Sequence, residues 1–190
     1  MTKEEIINLY TETLDFHKVQ RTCKLPPFRL HMLLTQAGVL RLQDKVNFGS
    51  KPQRLGGKAE ELFQKLVPEA IDANRNFRKN NPQYDYVYKN LTIDVKYSSL
   101  LINKAGGKKP HWHFRVEGTQ DVIVAFLERE KGSELDDPIV IFLPMAFIPE
   151  QQTAMHVTAG SYIMTDFQIE AEELSSYIKD YAEMKGAYDG

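Results

Sequence analysis

The sequence contains a single cysteine, Cys23, in 190 residues. One cysteine excludes an internal disulfide framework and a cysteine-rich zinc site, and it favours a reducing, cytoplasmic setting. No hydrophobic run approaches the roughly 20 residues that span a bilayer, and the N-terminus lacks the profile of a secretory signal, so no membrane association is expected. A chain of this length with 42% hydrophobic residues predicts one domain with a buried core.

The net charge is also small, at −2, but the charges are distributed unevenly along the chain. Residues 1–115 contain 20 Lys and Arg against 11 Asp and Glu, whereas residues 116–190 contain 4 against 15. A basic segment of this kind indicates a polyanion such as DNA as a partner, with the acidic segment turned away from it. The alternative, which the sequence leaves open, is that the charges decorate ordinary solvated faces.

Apolar residues at helical spacing predict helices in the first third of the chain. A capping box at Thr2 begins a helix over about 3–20, and Pro27 opens a second helix that ends near Gly38. A third helix is expected to begin near Lys58. The first two helices also fit a helix-turn-helix DNA reader, although paired helices occur in many folds.

Residues 84–97 predict a β-hairpin with a two-residue turn at Lys89 and Asn90. The alternation of side chains places Asp85 directly across from Asp94, with Lys96 on the same face. Opposed carboxylates raise each other's pKa unless a cation neutralises them. Lys96 is one such cation, and Mg²⁺ held by carboxylate oxygens is another. From the residues alone, a metal site and a self-neutralised surface patch both stay open.

The second half of the chain predicts buried strands followed by a helix. Two apolar runs, Val122–Leu127 and 139–143, are typical of inner strands covered on both faces. A second capping box at Thr165 predicts an acidic C-terminal helix that extends to about Lys185. Helices followed by a hairpin, buried strands and a helix indicate a mixed α/β domain.

Asp85, followed on the next strand by Asp94-Val95-Lys96, resembles the active-site signature of the PD-(D/E)xK nuclease superfamily. The resemblance implies a restriction-endonuclease-like fold, which is a central mixed β-sheet flanked by helices, here with an N-terminal helical segment. It also implies a Mg²⁺ cofactor bound by Asp85, Asp94 and the backbone carbonyl of Val95, with Lys96 as the catalytic lysine.

A glutamate on the preceding helix often completes this site, and the resemblance transfers that role to Glu60 as a catalytic residue and metal ligand, with Glu61 as the alternate. Trp112-His113-Phe114 and the Gln120-Asp121 pair are similar to segments of many members, so the resemblance covers about residues 56–145. The proline that names the motif is absent, since Tyr84 precedes Asp85.

The function implied is a Mg²⁺-dependent DNA endonuclease, in the form of a sequence-specific type II restriction-type enzyme that acts as a homodimer to cut both strands. The alternatives are a structure-selective or phage-type endonuclease of the same fold and a non-catalytic nucleic-acid-binding module. The single domain 1–190 then divides into a helical, DNA-contacting segment (1–55), a nuclease core (56–145) and a C-terminal strand and helix extension (146–190).

Basic and aromatic residues around this core are assigned to DNA contact. They are Arg54, Lys58, Lys108, Lys109, His111, His113 and Arg115. The two histidines lie at i, i+2 in a predicted strand, so both rings reach one ligand; zinc, a phosphate or base, and an ordinary surface pair all stay open. Trp112 is expected in the core, and the other histidines, His17, His31 and His156, are assigned structural roles.

Overall fold

The helices and strands are those of a mixed α/β protein, in a computed structural model that describes residues 1–41, 51–73, 84–102 and 109–188. The helices are α1 (Lys3–Thr13), α2 (Phe16–Cys23), α3 (Pro27–Gln36), α4 (Lys51–Leu66), α5 (Tyr162–Phe167) and α6 (Leu174–Tyr188). The strands are β1 (Ile71–Asp72), β2 (Tyr86–Tyr88), β3 (Leu91–Ser98), β4 (His111–Arg115), β5 (Val122–Leu127), β6 (Ile139–Pro144), β7 (Ala154–Thr158) and β8 (Gln168–Ile169). None of the helices in these ranges has the length and apolar character needed to cross a membrane.

Six strands form one mixed sheet in the order β1-β2-β3-β5-β6-β8. β3 and β5 are parallel, and the other neighbours in this sheet are antiparallel. Every residue of β5 and β6 is buried, which confirms the two predicted inner strands. A strand covered on both faces has no solvent-facing positions, so its sequence is a continuous apolar run.

Both faces of this sheet are covered. α4 and α6 pack on one face, in a core that includes Phe63, Ile93, Phe126 and Ile178. A two-stranded antiparallel ribbon of β4 and β7, together with α5, covers the other face. That second core includes Trp112, Ile123, Ile141 and Val157. The central mixed sheet flanked by helices is therefore as predicted.

The N-terminal helices α1–α3 form a separate small core. It consists of Ile6, Tyr10, Phe16, Val19, Leu30, Leu34 and Leu40. The predicted continuous helix over 3–20 is wrong, because Leu14 takes a left-handed conformation (φ 49°) and Asp15 caps a new helix by accepting the Lys18 N–H at 2.9 Å. The second predicted helix is confirmed, and Gly38 follows it with φ 68°.

Two other helix boundaries differ from the sequence prediction. Residues 51–58 are already helical, so Gly56 and Gly57 lie inside α4 and not before it. Packing of the buried face offsets the helix cost of about 1 kcal/mol for each glycine. The acidic helix begins at Leu174 instead of Thr165, because the intervening Ile169 is drawn into the sheet edge opposite Val140.

Candidate active site

The β2–β3 hairpin has the register that its alternation predicts. Tyr86 lies opposite Ile93, and Lys89 takes a left-handed conformation (φ 52°) in the turn. The ladder ends at the pair of Tyr86 and Ile93, and Asp85 lies one residue beyond it, where its N–H also donates to the Ile93 carbonyl at 3.0 Å. The predicted register is therefore confirmed as far as Tyr86, and the strand pairing predicted between Asp85 and Asp94 is not formed.

The Asp85 carboxylate is fixed by the backbone of the neighbouring strand. Its Oδ2 accepts the N–H of Val95 at 2.9 Å. The side chain is half-buried, and its negative charge raises the pKa of the Asp94 carboxyl group. Two neighbouring carboxylates are unfavourable when both are ionised.

Lys96 supplies the cation for this pair. Its Nζ lies 2.6 Å from Asp94 Oδ2, and its side chain is 31% exposed, whereas that of Asp94 is 7% exposed. Val95 packs in the core beneath α4 and α6. Because side chains alternate along a strand, Asp94 and Lys96 project towards the opposite face, where the lysine head group reaches solvent.

The environment of Asp94 favours its neutral form. Burial, and then the negative charge of Asp85, raise the pKa of Asp94 from 3.8 to about 7, although Lys96 acts in the opposite direction. A hydrogen bond with Asp85 further favours the protonated carboxyl. Perturbed carboxylates of this kind concentrate at catalytic and binding sites.

Glu60 occupies a different position from the one expected of a third acidic ligand. It is buried on α4 (8% exposed), while its neighbour Glu61 is half-buried, so burial favours Glu60 of the two predicted alternatives. α4 packs on the face of the sheet opposite to Asp94, however. Among the described residues no three His, Cys, Asp or Glu side chains are grouped to hold a metal ion, so Glu60 stands outside the aspartate pair.

Tyr86 packs beneath α4, on the face of the sheet opposite to Asp94. Its hydroxyl donates to the Glu60 backbone carbonyl at 2.9 Å. Burial raises the pKa of Tyr86, and so do the negative charges of Glu60, Asp72, Asp85 and Glu61. Burial is therefore the first cause of the raised pKa of Tyr86, and the charges of these carboxylates add to it. Asp72 is not predicted from the sequence, because the two-residue strand β1 that pairs it with Tyr86 is too short to show a periodic pattern.

Asp121 lies in one of the segments that are similar to the nuclease superfamily. Its carboxylate binds Thr92 and Lys185, and we call these contacts the Asp121 clamp. Its Oδ2 accepts the N–H and hydroxyl of Thr92 at 2.8 and 2.9 Å, and its Oδ1 lies 2.7 Å from Lys185 Nζ. Although burial acts to raise the pKa of Asp121, the Lys185 and Thr92 hydrogen bonds outweigh it and lower the pKa. The clamp ties the start of β3 to the start of β5 and the end of α6.

The predicted separation of basic and acidic segments is incomplete in space. Lys51 and Lys58 on α4 approach Glu134 at 3.5 and 3.7 Å, and Lys89 lies 3.6 Å from Glu183. These pairs join the basic half of the chain to the acidic half. Because all of them are substantially exposed, each is worth no more than a few tenths of a kcal/mol to about 1 kcal/mol, and a polyanion can displace them.

The remaining DNA-contact candidates lie on two elements. Arg54 is exposed on α4, and Lys109 and Arg115 are exposed at the two ends of β4, where Arg115 forms an ion pair with Glu117 at 2.7 Å. Lys108 lies outside the described residues.

The ribbon strand β4 carries the predicted aromatic and histidine residues on its two faces. Trp112 is buried, and its Nε1–H donates to the Glu128 carbonyl at 2.8 Å, which confirms its core role. His113 is exposed and contacts His156 on β7. His156 was assigned a structural role from the sequence; no local signal indicated this partner, since 42 residues separate the two histidines.

Comparison with known proteins does not identify a relative. No protein-family model matches the chain, and no curated protein matches its sequence. The arrangement of Asp85, Asp94 and Lys96 is therefore the feature on which a functional argument rests.

Proposed function

We propose that this protein is a Mg²⁺-dependent endodeoxyribonuclease of the PD-(D/E)xK type, with Asp85, Asp94 and Lys96 at its catalytic centre. The observation that carries the proposal is the buried Asp94 carboxylate with the Lys96 Nζ 2.6 Å away, next to Asp85, whose carboxylate accepts the Val95 N–H at 2.9 Å. Such a cluster costs stability, and proteins retain it where chemistry requires it. The mixed sheet flanked by helices also supports a restriction-endonuclease-like fold.

The donor set fits Mg²⁺. This ion takes one or two carboxylates together with waters and substrate phosphate, and the two aspartates offer adjacent carboxylate oxygens. Asp85, Asp94 and the carbonyl of Val95 would hold the ion, and Glu60, on the opposite face of the sheet, is not part of this ligand set. When bound, Mg²⁺ supplies Lewis acidity towards the phosphate and a template for the attacking water.

The protein's own side chains would orient the attacking water and stabilise the developing charge. The Lys96 ammonium, already at the mouth of the site, orients the attacking water and stabilises the charge that develops on the phosphate oxygens. A bond forms from the water oxygen to phosphorus, and the bond from phosphorus to the leaving oxygen breaks. The proton released by the water is transferred to the leaving oxygen through solvent, so the reaction is a balanced hydrolysis.

Exposed cations supply the DNA contacts in this proposal. Arg54 on α4 and Lys109 and Arg115 on the ribbon contact phosphates, which position the duplex without specifying sequence. A restriction-type enzyme with sequence preference is the proposed form, and a homodimer would present one site to each strand.

A second candidate is a non-catalytic nucleic-acid-binding module. It is favoured by two observations: Lys96 already neutralises Asp94 at 2.6 Å, and among the residues that the structure describes no third acid joins the pair. In this case Asp85, Asp94 and Lys96 would neutralise one another and take no part in catalysis.

A cleavage assay on long DNA that contains all short recognition sequences distinguishes the nuclease from the binding module. Wild type, Asp94→Asn and Lys96→Ala are incubated with Mg²⁺ or with EDTA, alongside Asp136→Asn and Lys179→Ala as matched exposed controls. The proposal predicts Mg²⁺-dependent cutting that falls about 100-fold or more in the two site variants and persists in the controls. DNA binding without cutting by wild type would favour the module, and equal cutting by Asp94→Asn would refute the proposed site.

A further inference from the structure

The outer face of the β4–β7 ribbon carries three of the five histidines in the chain. His113 lies directly opposite His156 in the antiparallel pair, and His111 precedes His113 by two residues. Because Trp112 and Val157 point into the core, alternation places all three imidazoles on the other face of the ribbon. His113 and His156 are exposed, and His111 is half-buried.

The ribbon holds the backbone of these residues firmly. The Ser98 hydroxyl accepts the His113 N–H and donates to the His113 carbonyl, both at 2.9 Å. His111 exchanges two backbone hydrogen bonds with Leu101, at 2.9 and 3.1 Å. The histidine positions are therefore set by main-chain pairing on both sides of β4, and side-chain rotation is the remaining freedom.

We propose that His111, His113 and His156 form a binding site for a divalent transition metal ion, for which Zn²⁺ is the best match. The rings of His113 and His156 are already in contact, with centroids 4.5 Å apart. His111 Nδ1 instead lies 3.3 Å from the Lys109 carbonyl, so the three rings do not yet converge. Rotation of the His111 side chain, with loss of that long hydrogen bond, brings the third nitrogen to the pair.

The chemistry of the donors selects the metal. Imidazole nitrogen suits Zn²⁺, Cu²⁺ and Ni²⁺, whereas Mg²⁺ requires oxygen ligands, so this site is distinct from the aspartate pair on the hairpin. Three imidazoles plus one water is a ligand set of zinc sites that keep an open position. The exposed outer face of the ribbon leaves room for that water. The inference does not depend on the proposed nuclease activity.

Calorimetric titration of untagged protein with ZnCl₂ at pH 7.5, in excess Mg²⁺, tests the site. Wild type is expected to bind one Zn²⁺ per chain, and His111→Ala, His113→Ala and His156→Ala each to weaken binding by at least about 10-fold. His17→Ala, an exposed histidine on α2, is the matched control and is expected to bind as wild type does.

A second readout separates ligand loss from misfolding. Zn²⁺ is expected to raise the unfolding temperature of wild type and of His17→Ala but not of the three ribbon variants, whose unfolding temperatures without metal match that of wild type. Co²⁺ in place of Zn²⁺ is expected to give a tetrahedral visible spectrum that His156→Ala abolishes. Failure of wild type to bind Zn²⁺, or unchanged binding in any one of the three variants, would overturn the proposal.

Discussion

Replacing Asp94 with Asn removes a buried charge while preserving the size of the side chain, and the effect on stability depends on pH. Burial and Asp85 raise the pKa of Asp94 in the folded protein to about 7, from an ordinary value of 3.8 in the unfolded chain. The folded state therefore holds this proton more tightly than the unfolded state. Protonated Asp94 therefore stabilises the folded wild type fully below about pH 4. This contribution to the free energy of unfolding is lost as the pH rises to about 7.

The magnitude follows from the two pKa values. A difference of one pKa unit is equivalent to about 1.4 kcal/mol, so the step from 3.8 to about 7 corresponds to at most about 4 kcal/mol. Asn does not titrate, so the stability of Asp94→Asn relative to wild type is expected to improve by up to about 4 kcal/mol between pH 4 and pH 8. The attraction of Lys96 is already contained in this pKa, because Lys96 acts to lower it.

Urea unfolding in EDTA, followed by circular dichroism across this pH range, measures the effect. Asp136→Asn is the matched control, because Asp136 is exposed, and its stability relative to wild type is expected to stay constant with pH. A constant difference for Asp94→Asn, or a variant that loses stability relative to wild type as the pH rises, would refute the account of Asp94 as a buried carboxyl with a raised pKa.

Two further substitutions test the framework of the site by urea unfolding. Tyr86→Phe removes the hydrogen bond to the Glu60 carbonyl, which keeps its helical partner within α4, so a loss of about 0.5–1.5 kcal/mol is expected, and a loss under about 0.3 kcal/mol would contradict the contact. Thr92→Val keeps the side-chain shape but removes the hydroxyl that bonds Asp121 in both directions, and a loss of about 1–3 kcal/mol is again expected, with no loss arguing against the clamp.

The hairpin could be predicted from the sequence because its information is local. A period-two pattern on both sides of a two-residue turn determines the register, which holds as far as the pair of Tyr86 and Ile93 and leaves Asp85 one residue beyond it. The buried strands β5 and β6 could also be predicted from the sequence, because a strand covered on both faces is a continuous apolar run. The main features of the candidate site therefore follow from about a dozen neighbouring residues.

The predictions from sequence fail where contacts between distant residues override local patterns. The capping box predicted at Thr165 is wrong, because Thr165 lies inside α5, and pairing of Ile169 with Val140 at the sheet edge places the start of the C-terminal helix further along the chain. The contact between His113 and His156 joins residues 43 positions apart, and no local pattern specifies such a pair. The side on which Glu60 lies likewise depends on how α4 docks against the sheet, which helical periodicity alone does not determine.

The measurement that tests the central claim most directly is the rate of DNA cleavage by wild type and Asp94→Asn in the same Mg²⁺ buffer. Asp136→Asn serves as the control for an aspartate-to-asparagine change. We expect cleavage by wild type and the control and a loss of about 100-fold or more in Asp94→Asn, although the stability of that variant relative to wild type is expected to rise with pH. Equal rates for Asp94→Asn and wild type would contradict it.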